Sequence, residues 1–405
     1  MKATLGSYVL CGMALASQPA RADVVTDWNV TAGDIVAAGE PGPPPAVRAM
    51  AIVQTAVYEA VNAVTQRYST SRAKLDAAPG ASVDAAVAAA NRATLSALVP
   101  SQQAAIDDAY RTALAAIPEG PPKSQGIAVG EKAAAAILAM RAGDGARAPE
   151  SYRPRTAPGV YVPTVLPAVP QWPQREPWWM ESPDQFRPGP PPALDGVLWA
   201  RDYNEIKALG AKSSALRTAE QTEIARFWET RSPTIYFPVA RSVADAPGRE
   251  VTQNARLLAA ATQAMDDALI AVFDAKYHYG FWRPITAIRN GDADGNDATE
   301  RDASWVPFID TPMHPEYPCA HCIVAAALGA VLQAEIGAGP TPKLSTASPT
   351  AAGAVRSWTR VEDLVQEVAN ARIYDGVHYR NSTEVASAMG KKIGELAAEK
   401  QLRRD

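Results

Sequence analysis

His314-Pro315-Glu316-Tyr317-Pro318-Cys319-Ala320-His321-Cys322 carries two of the chain's four histidines and two of its three cysteines. An Ala-rich apolar run begins at once behind it with Ile323, Val324, Ala325, Ala326, Ala327 and Leu328. A helix that starts at a His-bearing turn aims its free backbone N–H groups into that turn, which makes an anion site. Upstream, Arg283-Pro284 follows Lys276 by seven residues; downstream, His378 follows Arg372 by six. The fourth histidine, His278, lies beside Lys276. No histidine falls outside these three pieces.

Together the pieces suit a tetrahedral oxyanion, which wants guanidinium forks, an ammonium group and backbone amides. Arg283 and Arg372 offer forks, Lys276 a point charge, and Ala320 and His321 amides at a helix start. Two imidazoles, His321 and His378, titrate near neutrality and suit a proton donor or acceptor and a covalent ligand.

The chain has 405 residues, a net charge of -4 and 47% hydrophobic residues, many of them alanine. That balance argues against a nucleic-acid or anionic-membrane binder, so any anion needs a local cationic cluster. Residues 1–22 read as a secretory signal: Lys2, an apolar run from Tyr8 to Ala16, and an Ala20-Arg21-Ala22 cleavage site. The run is too short to span a bilayer. A periplasmic or secreted protein without a membrane span is expected. Removal of Cys11 leaves Cys319 and Cys322, which could be bridged in an oxidising compartment or remain buried thiols. Structural zinc would need four ligands, and no second cysteine pair exists.

Residues 23–143 read as a loop up to 45, followed by Ala-rich amphipathic helices near 46–64, 82–98, 101–117 and 123–140. Residues 144–195 hold repeated prolines interleaved with Trp172, Trp178 and Trp179, too proline-dense for helix and too aromatic for a free linker. They are expected to form an ordered strap over the helical body. Residues 196–405 return to helix. Thr218 with Gln221, Thr359 with Glu362 and Asn381 with Glu384 read as helix starts. A helix near 254–276 ends at Lys276, and 337–352 reads as loop. No period-2 run of β-branched residues stands out, so the fold class is all-α, a helical bundle.

Lys276-x6-Arg283-Pro284, Pro318-x-x-His321 and Arg372-x5-His378 resemble the three-part signature shared by vanadium-dependent haloperoxidases and type 2 phosphatidic acid phosphatases. Phe281-Trp282-Arg283-Pro284 and His314-Pro315-x-Tyr317-Pro318 look more like the haloperoxidase branch, in an exported bacterial form. The resemblance implies a helical bundle with vanadate between its helices. His378 would bond the metal and Lys276, Arg283 and Arg372 would neutralise its oxygens. Cys319 and Ala320 would stand at the oxyanion contacts, and His321 would be the acid–base group. Hydrogen peroxide, a halide and a small organic acceptor would be the substrates.

The chain departs from the family pattern where it has Cys319-Ala320 in place of the usual Ser-Gly. A thiol donates a weaker hydrogen bond than a hydroxyl. Ser382 stands where many members carry an acid four residues beyond the ligand histidine. His278 is a pocket-lining residue in this reading, and His314 braces its turn. The alternatives are an acid phosphatase that cleaves a phosphate ester through a phosphohistidine at His378, with phosphate in the same site, and an inactive oxyanion-binding protein. Homo-oligomerisation stays open.

Overall fold

The computed structural model describes residues 23–69, 72–230 and 235–402. The expected signal segment and Cys11 lie outside them. Thirteen helices run through the described residues. The first five are α1 (Val24–Ala38), α2 (Pro43–Thr65), α3 (Val83–Leu98), α4 (Gln103–Ala115) and α5 (Pro121–Met140). After a long irregular segment come α6 (Val197–Leu209), α7 (Ala219–Trp228), α8 (Phe237–Ala244), α9 (Val251–Tyr279) and α10 (Pro284–Arg289). The last three are α11 (Ala320–Ile336), α12 (Val361–Tyr374) and α13 (Arg380–Gln401).

The helix α9 is the axis of the bundle. Glu250 and Gln253 close a capping box at its start, and Gly280 ends it in the left-handed region at φ 60°. Between them almost every residue is buried, including Asp266, Asp267 and Lys276, which need partners inside the protein. Helices α2, α11 and α13 pack on it. Lys276 therefore sits, wholly buried, in the last turns of the most enclosed helix.

Helices α11 and α13 lie close because Gly390 and Gly394 leave room for α11 backbone. A Cβ on Gly390 would collide with the Ile323 carbonyl oxygen, and one on Gly394 with that of Ala327. This contact fixes the helix that starts at the His321 turn.

Two expectations are corrected. Residues 23–45 are not a loop, since α1 fills most of them. Asp23 and Thr26 form its capping box, and Val25, Trp28, Ala32, Ile35 and Val36 pack inward. Its Thr, Asn and Gly content hid that periodicity. The 337–352 loop contains a strand: β1 (Leu344–Ser348) pairs antiparallel with β2 (Ala354–Trp358), Leu344 opposite Trp358. Its residues are mostly Ala, Ser and Thr, so the alternation was weak, but Leu344, Thr346 and Ser348 do face inward.

Two predicted caps also move. Arg360 rather than Thr359 precedes α12. The N-cap of α13 is Tyr379 rather than Asn381, because distant carboxylates satisfy its first donors. Tyr379 N–H donates to Glu316 Oε1 at 3.1 Å and Asn381 N–H to Asp202 Oδ2 at 2.7 Å.

Residues 144–195 are irregular apart from one short 3-10 turn at Trp172–Gln174. Buried ion pairs moor them to α9. Arg175 bridges Asp144 and Asp266, and Asp267 accepts the backbone N–H groups of Trp178 and Trp179. Burial pushes the Asp267 carboxyl up to about 6, opposed by those N–H groups. Farther along, Tyr161 N–H donates to Gly280 O at 2.8 Å and Trp282 N–H to Gly159 O at 3.0 Å. Tyr317 Oη donates to Gly189 O at 2.9 Å. The segment thus holds both loops that flank the site.

Gly394→Val is expected to destabilise the protein by about 1–3 kcal/mol through overpacking. Gly143→Ala, where a Cβ meets open space, should be near neutral. Thermal unfolding of the two variants checks this.

Candidate active site

The three sequence pieces converge. Lys276 comes from α9, Arg283 from the N-cap of α10, His321 from the first turn of α11, Arg372 from the last turn of α12, and His378 from the α12–α13 turn. That turn needs Gly376 at φ 79°, where the chain passes against Gly210; a Cβ there would strike the Gly210 carbonyl.

The positive groups are held by main-chain oxygens. Lys276 Nζ donates to the carbonyls of Pro315 at 2.9 Å and Glu316 at 2.7 Å. Arg283 donates to His314 O at 2.8 Å and Val377 O at 2.9 Å. Its remaining nitrogen lies 2.9 Å from His314 Nδ1, so His314 braces the turn as expected. Arg372 donates to Trp228 O at 3.0 Å and pairs with Asp375 at 2.6 Å. Burial, and then the charge of Arg283, holds the Lys276 ammonium well below its usual pKa. Burial brings the Arg283 guanidinium down to about 10.

His378 is enclosed, with Nδ1 2.8 Å from Glu316 Oε1 and Nε2 3.4 Å from an Arg283 nitrogen. Burial and the neighbouring cations hold the imidazoles of His378 and His321 well below the ordinary histidine value, so both are neutral near pH 7. His321 Nε2 and Arg372 Nε are buried with no hydrogen-bond partner among the described residues. Ala320 and His321 open α11, where the first N–H groups have no intrahelical acceptor. Unpaired donors, buried cations and a neutral imidazole face one place. The arrangement suits a multiply charged oxyanion, which would supply the missing acceptors.

Cys319 does not fill its predicted place as a thiol donor. It is bridged to Cys322, with Cα atoms 5.4 Å apart, so it has no S–H to give. Its sulfur instead caps α11, accepting the Cys322 N–H at 3.1 Å. His278 is exposed, edge-on to the Tyr279 ring, and does not line an interior pocket.

Residues 256–404 match the family model described as the VCPO second helical-bundle domain, a span that contains every motif residue. A bacterial vanadium-dependent iodoperoxidase structure superposes with a TM-score of 0.79 at 24% identity, over 94% of this chain and 97% of that one. The chain has the vanadium haloperoxidase fold. Two bacterial vanadium-dependent chloroperoxidase structures share this haloperoxidase fold at 17% identity. The apo form has a TM-score of 0.71 over 88% of this chain and 92% of that one. The holo form has 0.69 over 95% of each. No protein of curated function matches the sequence. The resemblance of the three motifs to the vanadium haloperoxidases is thus borne out.

Two residues of this haloperoxidase-fold site escaped the motif reading. Glu316 and Asp375 are completely buried carboxylates beside His378 and Arg372. Burial pushes each up to about 7, against the pull of the nearby cations. The available signal was charge balance: three cations brought together in an apolar core call for acids, and Glu316 stands inside the central stretch.

Lys276→Ala and Arg372→Ala are each expected to weaken inorganic phosphate or orthovanadate binding at least tenfold, the loss of one charge-assisted contact. Arg187→Ala, which breaks a partly exposed pair with Asp274, should leave it unchanged. Equilibrium dialysis of the oxyanion checks both.

Proposed function

We propose that this protein is a vanadate-dependent haloperoxidase, oxidising halide with hydrogen peroxide and passing the oxidised halogen to a small organic acceptor. The observation that carries this reading is the buried trio Lys276, Arg283 and Arg372 around His378, with His321 Nε2 unpartnered beside them. Vanadate would be held by His378 Nε2, with the trio and the first amides of α11 at its oxygens. Once bound, it supplies a Lewis acid that activates peroxide without changing oxidation state.

The chain's own groups do the rest. Lys276 and the two arginines offset the negative charge that builds on oxygen. His321 Nε2, neutral and unpaired, takes a proton from peroxide and returns one as water leaves. Its backbone contact with Thr230 helps to hold the ring. Burial excludes bulk water and strengthens every charge interaction inside.

Vanadate-free protein should brominate a phenolic dye with peroxide and bromide only after orthovanadate is added. His378→Ala should abolish that activity, and His321→Ala should cut kcat by about 10²–10⁴-fold. Aryl phosphate hydrolysis without any bromination would replace this reading with the phosphatase.

Export is also part of the proposal. The signal-like residues 1–22 and a disulfide suited to an oxidising compartment support it. No described helix is long and apolar enough to cross a membrane. The mature periplasmic or secreted chain should start at Asp23 and take up no alkylating reagent, when denatured, before reduction. An uncleaved chain, or labelled Cys319 and Cys322, would refute it.

A further inference from the structure

We propose that Glu316 is the positioning residue that makes His378 a ligand through Nε2, by accepting the Nδ1–H hydrogen bond at a fixed carboxylate. This rests on the reading of His378 as the group that bonds the oxyanion's central atom.

A neutral imidazole has one N–H and one lone pair, and its neighbours decide which nitrogen holds which. Glu316 Oε1 lies 2.8 Å from Nδ1. On the other side, Arg283 offers only N–H donors, 3.4 Å from Nε2. A guanidinium has no acceptor, so this contact also requires a bare Nε2. The two contacts come from different elements and demand the same tautomer.

The carboxylate itself is held firmly. The same Oε1 accepts the Tyr379 N–H at 3.1 Å, so acid and ring are tied to adjacent residues of one turn. Glu316 N–H donates to Phe281 O at 2.9 Å, and its carbonyl receives Lys276 Nζ at 2.7 Å. One residue thus sets the tautomer of the ligand histidine and the position of the lysine.

Ser382 cannot perform this task. A hydroxyl donates as readily as it accepts and therefore leaves the tautomer free. Its side chain is buried in the first turn of α13. The acid that is missing from the first turn of α13 enters from the loop before α11.

The test reads the tautomer directly. Protein labelled with ¹⁵N-histidine and freed of vanadate is examined near neutral pH by two-bond ¹⁵N–¹H correlation. The His378 signals are assigned by their loss in His378→Gln. Nδ1 should be protonated and Nε2 bare; a protonated Nε2 in the wild-type protein overturns the proposal, whatever the variants do. In Glu316→Gln the amide can turn its NH₂ toward Nδ1. An Nε2–H population should then appear, and orthovanadate affinity by equilibrium dialysis should fall about 10–100-fold. An unchanged tautomer with unchanged affinity in that variant also overturns it. The tautomer is read without peroxide or halide, so a protein that failed to brominate would leave this result standing.

Discussion

Three positive side chains are kept dry inside this protein. Removing an ion from water costs several kcal/mol even after relaxation, unless hydrogen bonds and opposite charge replace the water. Lys276, Arg283 and Arg372 receive that replacement from carbonyls of Trp228, His314, Pro315, Glu316 and Val377 and from the Asp375 carboxylate. Those carbonyls belong to loops and helix ends, where backbone oxygens are not used within a helix. The bundle is a scaffold that brings three such segments, the end of α7, the loop 314–316 and the α12–α13 turn, to one point.

The cationic surplus is only partly cancelled. Glu316 and Asp375 face the three cations, and burial raises both acids toward neutrality. An incoming oxyanion would complete the balance and occupy the unpaired nitrogens of His321 and Arg372. Binding energy and charge neutralisation are then the same event. The enclosed setting makes each contact stronger than it would be at a surface.

The site was more legible than its frame. Lys276, Arg283, His321, Arg372 and His378 announced themselves because cations and imidazoles at fixed spacing are rare in an Ala-rich chain with four histidines. Long helices such as α9 were visible for the same reason that they are buried. Glu316 stands inside the central stretch without a local sign of its role, because its partner lies 62 positions away. The spacing of Cys319 and Cys322 permits their bridge without requiring it. The helix α1 and the hairpin β1–β2 went unseen because weak formers adopt these states only when capped and packed. Asn381 misleads as a cap because long-range carboxylates, invisible in the sequence window, satisfy the donors at the start of α13.

The segment 144–195 holds the loops of Arg283 and Glu316, yet it is itself attached to α9 by charge. Arg175, Asp144 and Asp266 are almost fully buried. Mobile ions screen exposed pairs beyond roughly 8–10 Å at physiological strength, but buried pairs much less. A medium rich in dissolved salt weakens surface electrostatics. Here the mooring lies out of reach of that medium, so brine strong enough to loosen the outer ion pairs would leave the geometry around His378 in register.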